Sequence, residues 1–579
     1  MDRFGIEWPV RPQQTMSLSP STRLAHYDVT TLIGEGGMGP SDRDPSLFRN
    51  SDMMRYTHRW LFGFVVLGLS FAPLASAQTV DVTSASIEEL NRAFDAGTLT
   101  SELLVGLYLA RIEAYDEAGP KLNAVITLNP RAREKARALD AERRANGPRS
   151  PLHGIPIVLK DNIDTADLPT TAGSSLLAGS IPADDAFLVR KLREAGAIIL
   201  AKLNMSEFAS GGAISSLGGP TRNPHDLVRS PAGSSGGTGA SIAAAFAQVG
   251  LGTDTGGSIR GPSTANGIVG LKPTHGLIGR DGIIPLALSF DTVGPMARHV
   301  YDVAVALGVM TGIDPGDEAT LKSEGRFETD YTRYLDADAL DGARLGIARD
   351  FLGQDGDVDW VIEASLEVMR DAGATVVNVH LPEWLLRASG DFYTTVRHRE
   401  FRAQIPDYLA SLKPGFAKNL AELVEQSVRL TAPIDRAQPN PRRWRLFRRE
   451  EESGTLSDYE YRAVLEHGLP MVRTIIEGLM ESEDLDAIVY PTSPRRPARV
   501  DVDSPPSGGR PRYSPSRFAN LTGFPDLIVP AGFTGNGLPV GISFLGRAFD
   551  EPRLLALGYA FEQLSKARRL PVNTPPLEE

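Results

Sequence analysis

The chain has 579 residues, 41% of them hydrophobic, enough to bury a large core as one oversized α/β domain or as several domains. Its 72 acidic residues against 60 basic ones leave a formal net charge of −12, which argues against generic affinity for nucleic acid and fits a soluble acidic protein. The absence of cysteine excludes disulfides, a thiol nucleophile, thiolate metal sites and a lipidated cysteine anchor.

Within Leu18 to Gly39, the residues Gly34, Gly36 and Gly39 follow the G-x-G-x-x-G spacing of a phosphate-cradling loop. The stretch resembles the opening strand and loop of a bacterial serine/threonine protein kinase. Such a loop is inert without the lysine, aspartate and metal ligands that complete a kinase. The chain turns instead to PSDRDPSLFRNSD, so residues 1–52 are expected to be a disordered, non-functional fragment. From Met53 or Met54 a basic start (Arg55, His58, Arg59) leads into an apolar run, Trp60 to Phe71, and then Ala75-Ser76-Ala77. This is the layout of a signal peptide over residues 53–77 with a small-residue cleavage site. The run is short for a membrane span. The mature domain, residues 78–579, is therefore expected to act in the periplasm or outside the cell with no stable span; the competing reading is a buried helix or a retained anchor.

Downstream, Ser86-x-x-Glu89 is a capping box that opens a helix with Ile87, Leu90 and Phe94 on one face, stopped by Gly97. A second helix carries Leu104, Leu107 and Tyr108 and ends before Gly119, and a charged, alanine-rich helix spans about Arg131 to Ala145. Buried strands are predicted at Ile155 to Leu159, Ala197 to Leu200, Leu345 to Ala348, Thr375 to Val379, Ala487 to Tyr490, Leu527 to Val529 and Val540 to Phe544. Helices between several of them make this α/β layering. Residues 383–481 are polar and helical with scattered aromatics (Trp384, Phe392, Tyr393, Tyr408, Trp444) and read as a helical cap over a site. Its basic cluster, Arg442-Arg443-Trp444-Arg445, reads as a solvated face rather than an anion site. Pro494 to Pro511 reads as a mobile loop. The run from Asp355 to Asp359 has the spacing of a calcium loop but lacks its later ligands, so a helix N-terminus is the better account.

Three segments carry chemistry. In GTDTGGSIRGP, Gly252 to Pro262, the hydroxyl of Ser258 follows Gly256 and Gly257, whose unshielded amides can curl into a cradle for an oxyanion. A glycine-rich turn with an incidental serine is the plain alternative. In SPAGSSGGTGAS, Ser234 and Ser235 sit between glycines ahead of a small-residue helix, Ala240 to Ala247. In GIPIVLKDN the apolar run delivers Lys160 at the C-terminal end of a strand, where open α/β sheets place their chemistry. Many such lysines are only solvated strand ends. Buried beside Ser234, however, Lys160 would lose its charge and supply a neutral amine, with Ser234 relaying a proton from Ser258.

Together with LPTTAGS, GIVGLKPTHG, SFDTVGP and GLPVGISFLGR, these blocks make the chain from about Thr83 onward resemble the amidase signature family. The resemblance implies a large, twisted, mixed β-sheet sandwiched by helices. It implies Lys160 as base, Ser234 as bridging serine and Ser258 as acylated nucleophile, with the amides of Thr255, Gly256, Gly257 and Ser258 as oxyanion hole and a cis bond between Gly233 and Ser234. Ser235, Asp254, Arg260 and Asp161 are expected to support the site, Asp254 by orienting amides or pairing with Arg260. His153, His225 and His275 are expected in loops or the core. The chain departs from the common wording at Ala232, where glycine is usual, and at Gly261-Pro262-Ser263.

The resemblance implies hydrolysis of a carboxylic or peptide amide without cofactor, metal or nucleic acid. Kept beside it are an esterase or urethanase with the same triad, the amidotransferase subunit that serves misacylated transfer RNA, and a catalytically silent binding protein.

Overall fold

Short apolar runs closed off by glycine, proline or polar residues become strands. They are β1 (Val125–Leu128), β2 (Pro156–Lys160), β3 (Ile198–Leu203), β4 (Ile214–Ser215), β5 (Gly219–Pro220), β6 (Val249–Asp254), β7 (Val269–Lys272), β8 (Thr292–Ala297), β9 (Arg344–Ala348), β10 (Thr375–Val379), β11 (Ala487–Pro491), β12 (Asp526–Phe533) and β13 (Pro539–Leu545). This computed structural model describes residues 80–429, 440–500 and 513–577. The kinase-like stretch, the residues expected to be a signal peptide and residues 501–511 of the loop after β11 lie outside the described residues.

Eleven strands form one sheet in the order β1-β3-β2-β6-β8-β7-β12-β13-β11-β9-β10, while β4 and β5 pair with each other. The sheet is mixed. β2 runs parallel to both β3 and β6, whereas β6 is antiparallel to β8. The sheet therefore changes character at β6, and the C-terminal ends of β2 and β6 open side by side at that junction, where α/β sheets gather ligands. Both strands are buried at every position. That burial is why β2 reads as a continuous apolar run rather than an alternating one.

Helices flank the sheet. Val300–Met310, Gly356–Asp371 and Glu551–Ser565 share one apolar core with β2, β6 and β12. Ser86 closes its capping box on Ile87–Asp95 as expected, and Asp355 caps Gly356–Asp371 by accepting from the Asp357 amide. The helix predicted at Ala240 to Ala247 instead spans Gly236–Ala243, starting directly after Ser235. Glycine is a poor helix former; here it is required by space, since a Cβ on Gly237 would stand 2.2 Å from the Asn204 carbonyl oxygen.

The polar region does fold into helices: Glu383–Ser411, Leu420–Arg429, Pro441–Glu451, Tyr459–Ala463 and Leu469–Ser482. The solvated-face reading fits Arg442 and Arg445, which are exposed, and fails for Arg443. Two helical turns separate Arg443 from Glu450, so both point inward, joined by two hydrogen bonds of 3.1 and 2.8 Å. The Arg443 guanidinium lies 4.0 Å from the Phe447 ring centre and 4.7 Å from that of Phe401. Among the described residues no helix is long and apolar enough to cross a membrane.

Candidate active site

Lys160 is the last residue of β2 and is fully buried. Its Nζ lies 2.7 Å from Ser234 Oγ, 2.7 Å from Thr253 Oγ1 and 3.2 Å from the Thr253 carbonyl oxygen on neighbouring β6. Burial disfavours the ammonium and lowers its pKa from 10.5 to about 7, against the opposing charges of Asp254 and Asp291. Two other buried lysines show that burial alone does not make a base. Lys272, also pushed down to about 7 by burial, meets only the carbonyls of Pro273 and Phe524. Lys202 meets a hydroxyl too, Thr170 Oγ1 at 2.7 Å, but is paired with Asp161 at 3.4 Å. Of the three, Lys160 alone meets the hydroxyls of Ser234 and Thr253.

Ser234 follows a cis peptide bond from Gly233. Ala232 just before it has φ +58°, the left-handed region that glycine enters freely and alanine does not, which explains why glycine is the usual residue there. Ser235 ties the segment to its neighbours. Its amide donates to the Ser258 carbonyl at 3.2 Å, and its hydroxyl donates to the Thr253 carbonyl at 3.3 Å. The Ser234 and Ser258 loops are thus stitched together on top of β6. Ser258 is half-buried, so the inner amine is dry while the outer hydroxyl is reachable.

The cradle departs from four free donors. The Gly257 amide donates to Asp254 Oδ1 at 2.8 Å, three residues upstream, where a carboxylate caps the turn. Among the described residues, the amides of Thr255, Gly256 and Ser258 meet no acceptor. Asp254 also accepts from the Ile259 amide at 2.9 Å and pairs with Arg260 at 3.1 Å, so both roles expected of it occur together. Burial would raise its pKa. The Arg260 charge, with hydrogen bonds from Arg260, Asn520 and the Ile259 amide, outweighs burial and holds the carboxyl well below the usual range. Arg260 bridges onward to Asp526 at 3.0 Å, and Tyr490 Oη donates to Asp526 at 2.6 Å. This network pins the start of the Arg260–Asn266 helix behind the cradle.

Sequence reasoning missed several of these partners. Thr253, Asn162 and Asp291 stand inside segments already singled out, so the signal was within reach. Asp291 accepts from Thr255 Oγ1 and from the Leu286 and Ala287 amides, and burial raises its pKa to about 6. Asp526, Tyr490 and Asn520 lie more than two hundred residues along the chain from Arg260, and only the fold brings them in. Tyr393, from the helix Glu383–Ser411, covers the cradle so closely that a Cβ on Gly256 would stand 2.7 Å from its hydroxyl. Asp161 supports at one remove, accepting at 3.2 Å from each of the Thr171 and Gly173 amides. His153, His225 and His275 bond backbone carbonyls of Leu139, Asn266 and Leu288. A cavity of about 760 Å³, lined in part by Arg280, Lys322 and Arg473, lies beside these residues and shares Asn520 with the Asp254 network.

The arrangement sets Ser234 against a buried amine and the half-buried Ser258 beside backbone amides that meet no acceptor among the described residues. Residues 104–555 match the Amidase family. The chain belongs to the Amidase family. Membership makes it an enzyme of amide C–N bonds and bears out the resemblance drawn from the motifs. The native peptide amidase of Stenotrophomonas maltophilia superposes with a TM-score of 0.76 at 39% identity, over 84% of this chain and 98% of that one. A glutamyl-tRNA(Gln) amidotransferase subunit from Thermoanaerobacter pseudethanolicus is 35% identical over 85% of this chain and 99% of its own. A probable amidase of Arabidopsis thaliana is 35% identical over 87% of this chain and 94% of its own.

Proposed function

We propose that this amidase hydrolyses a carboxylic or peptide amide through an acyl-enzyme on Ser258, with Lys160 as base and Ser234 as relay. The observation that carries the reading is the 2.7 Å contact between Ser234 Oγ and a buried amine whose pKa is lowered to about 7. At neutral pH a large share of Lys160 is uncharged, so its lone pair accepts the Ser234 proton as Ser234 accepts that of Ser258. Ser258 Oγ bonds to the amide carbon, and the oxyanion meets the amides of Thr255, Gly256 and Ser258. The relay returns the proton to the departing nitrogen as the C–N bond breaks. Water then adds to the ester, the acid leaves, and Ser258 regains its proton.

The peptide amidase neighbour supports a peptide amide as substrate, and the helices from Glu383 to Ser482 are read as a cap that shapes the acyl pocket. Export is supported by the signal-like residues 53–77. Turnover of amidated peptides by purified residues 78–579, lost in Ser258→Ala and in Lys160→Ala with both proteins folded, is the expected result. Substantial activity in purified Ser258→Ala would sink the assignment.

A second reading, a transfer RNA amidotransferase subunit, is favoured by the curated relatives. It requires partner subunits and a cytoplasmic enzyme. Cell fractionation separates the two: enzyme in the periplasm or medium supports the hydrolase, and cytoplasmic enzyme that co-purifies with other subunits supports the amidotransferase.

A further inference from the structure

We infer that Arg517 forms an anion-binding end of the substrate pocket, so that the enzyme favours amides whose acyl portion carries a carboxylate. The inference rests on the hydrolase reading above and adds to it the class of acyl group.

Arg517 is held against the oxyanion loop from two sides. Its neighbour Ser516 packs on Gly257, where an added Cβ would stand 3.0 Å from Ser516 Cβ, and the Ser516 carbonyl accepts from Arg260 at 2.6 Å. The backbone that carries Arg517 is therefore fixed to the segment that carries Ser258. The guanidinium lies 5.3 Å from the ring centre of Tyr393, the residue whose hydroxyl faces Gly256. Phe290 stacks on that ring, centres 5.6 Å apart and planes 19° apart, and so fixes the surface on which Arg517 rests. Gly390 leaves room for the guanidinium, since a Cβ there would come within 3.1 Å of Arg517 Nη1.

What Arg517 lacks is a counter-charge. Among the described residues no carboxylate lies within ion-pair distance of it. The nearby acids are engaged elsewhere: Asp254 and Asp526 with Arg260, and Glu383 with Arg387. Arg443 and Arg397, the buried arginines of the same helical region, both pair with Glu450. A guanidinium stays charged at any working pH, and holding a half-buried one beside a reaction site without a partner is costly unless a ligand supplies the anion. Its planar fork matches a carboxylate with two parallel hydrogen bonds. If a primary amide is hydrolysed, ammonia leaves and all recognition falls on the acyl side, which is the side an arginine at the cradle can reach.

The test compares three primary amides: Nα-acetylglutamic acid α-amide and Nα-acetylnorvaline α-amide, whose side chains have the same number of carbons, and Nα-acetyllysine α-amide, which carries the opposite charge. The enzyme should cleave the glutamic acid amide with kcat/KM at least about tenfold above the norvaline amide, as expected for a charge-assisted pair, and the lysine amide worst. Arg517→Met should collapse the first ratio toward one, chiefly through KM, and Arg517→Lys should keep part of it. Equal efficiency on the glutamic acid and norvaline amides by the wild-type enzyme overturns the inference without any variant having to fold. A ratio unchanged in folded Arg517→Met overturns it as well. Failure to cleave any amide, together with failure of a fluorophosphonate to label Ser258, would instead bring down the hydrolase reading and this inference with it.

Discussion

The pKa of Lys160 makes a prediction that geometry alone does not. Lowering the pH protonates the amine that must accept the Ser234 proton. With a pKa of about 7, half of Lys160 is charged at pH 7, and kcat/KM should fall about tenfold per pH unit below that point while staying flat above about pH 8. With an ordinary lysine pKa near 10.5, the same quantity would still be climbing roughly tenfold per unit between pH 8 and 10. Rates of Ser258 labelling by a fluorophosphonate across pH 5 to 10, measured beside amide turnover, read the base independently of substrate ionisation. Asp291 titrates nearby, pushed up to about 6 by burial, so Asp291→Asn is the control. Its negative charge holds the Lys160 pKa up, so removing it should shift the acid limb to lower pH without abolishing it. A limb that vanishes in Asp291→Asn, or a wild-type rate still rising beyond pH 9, would refute the assignment of Lys160 as the base.

Three further outcomes follow from the same contacts. Because the folded pKa of Lys160 is depressed, the unfolded chain binds more protons between about pH 7 and 10.5; the resulting destabilisation is full below pH 7 and fades as pH rises. Thermal melts should therefore favour Lys160→Met over wild type more at pH 7 than at pH 10, and a pH-independent difference would contradict this. Gly256→Ala should cut kcat/KM by about tenfold or more in a folded protein, because its Cβ would meet the Tyr393 hydroxyl at 2.7 Å; Tyr393→Ala in the same chain should restore part of it, and no loss in Gly256→Ala would refute the close approach. Asp254→Asn breaks a buried ion pair and places an amide NH2 where the Gly257 or Ile259 amide donates, so stability should drop by roughly 3 kcal/mol or more, with slower Ser258 labelling. A wild-type melting curve would count against the network.

What the sequence discloses and what it hides follow from how far apart the interacting residues lie. Lys160 is legible because a run of buried apolar residues ends on it, and Ser258 because two glycines precede it. Their neighbours Thr253 and Asn162 sit in the same segments, yet each reads as an ordinary strand or loop residue until β2 and β6 pair in parallel. The strands that periodicity reveals are those with clean apolar runs. A single glycine does not hide a strand, since Gly346 and Gly541 lie in two of the predicted ones; in the large sheet β1, β6, β7 and β8 escape, and in β6 two glycines break the apolar run, the first for close packing, since a Cβ on Gly250 would stand 2.5 Å from Thr238 Cγ2. The Arg260 network joins residues from two distant parts of the chain, and no local pattern marks Asp526 or Tyr490. Arg443 misleads because three arginines within four residues look solvated, whereas its partner Glu450 lies two turns on.

The central claim is that Ser258, and not Ser234, carries the acyl group. A slowly hydrolysed activated acetate ester, quenched in acid and digested for peptide mass mapping, reads this directly. The account predicts an acetyl group on the peptide that contains Ser258, absent from Ser258→Ala. An acetyl group on Ser234, or amide turnover that persists in Ser258→Ala, would contradict it.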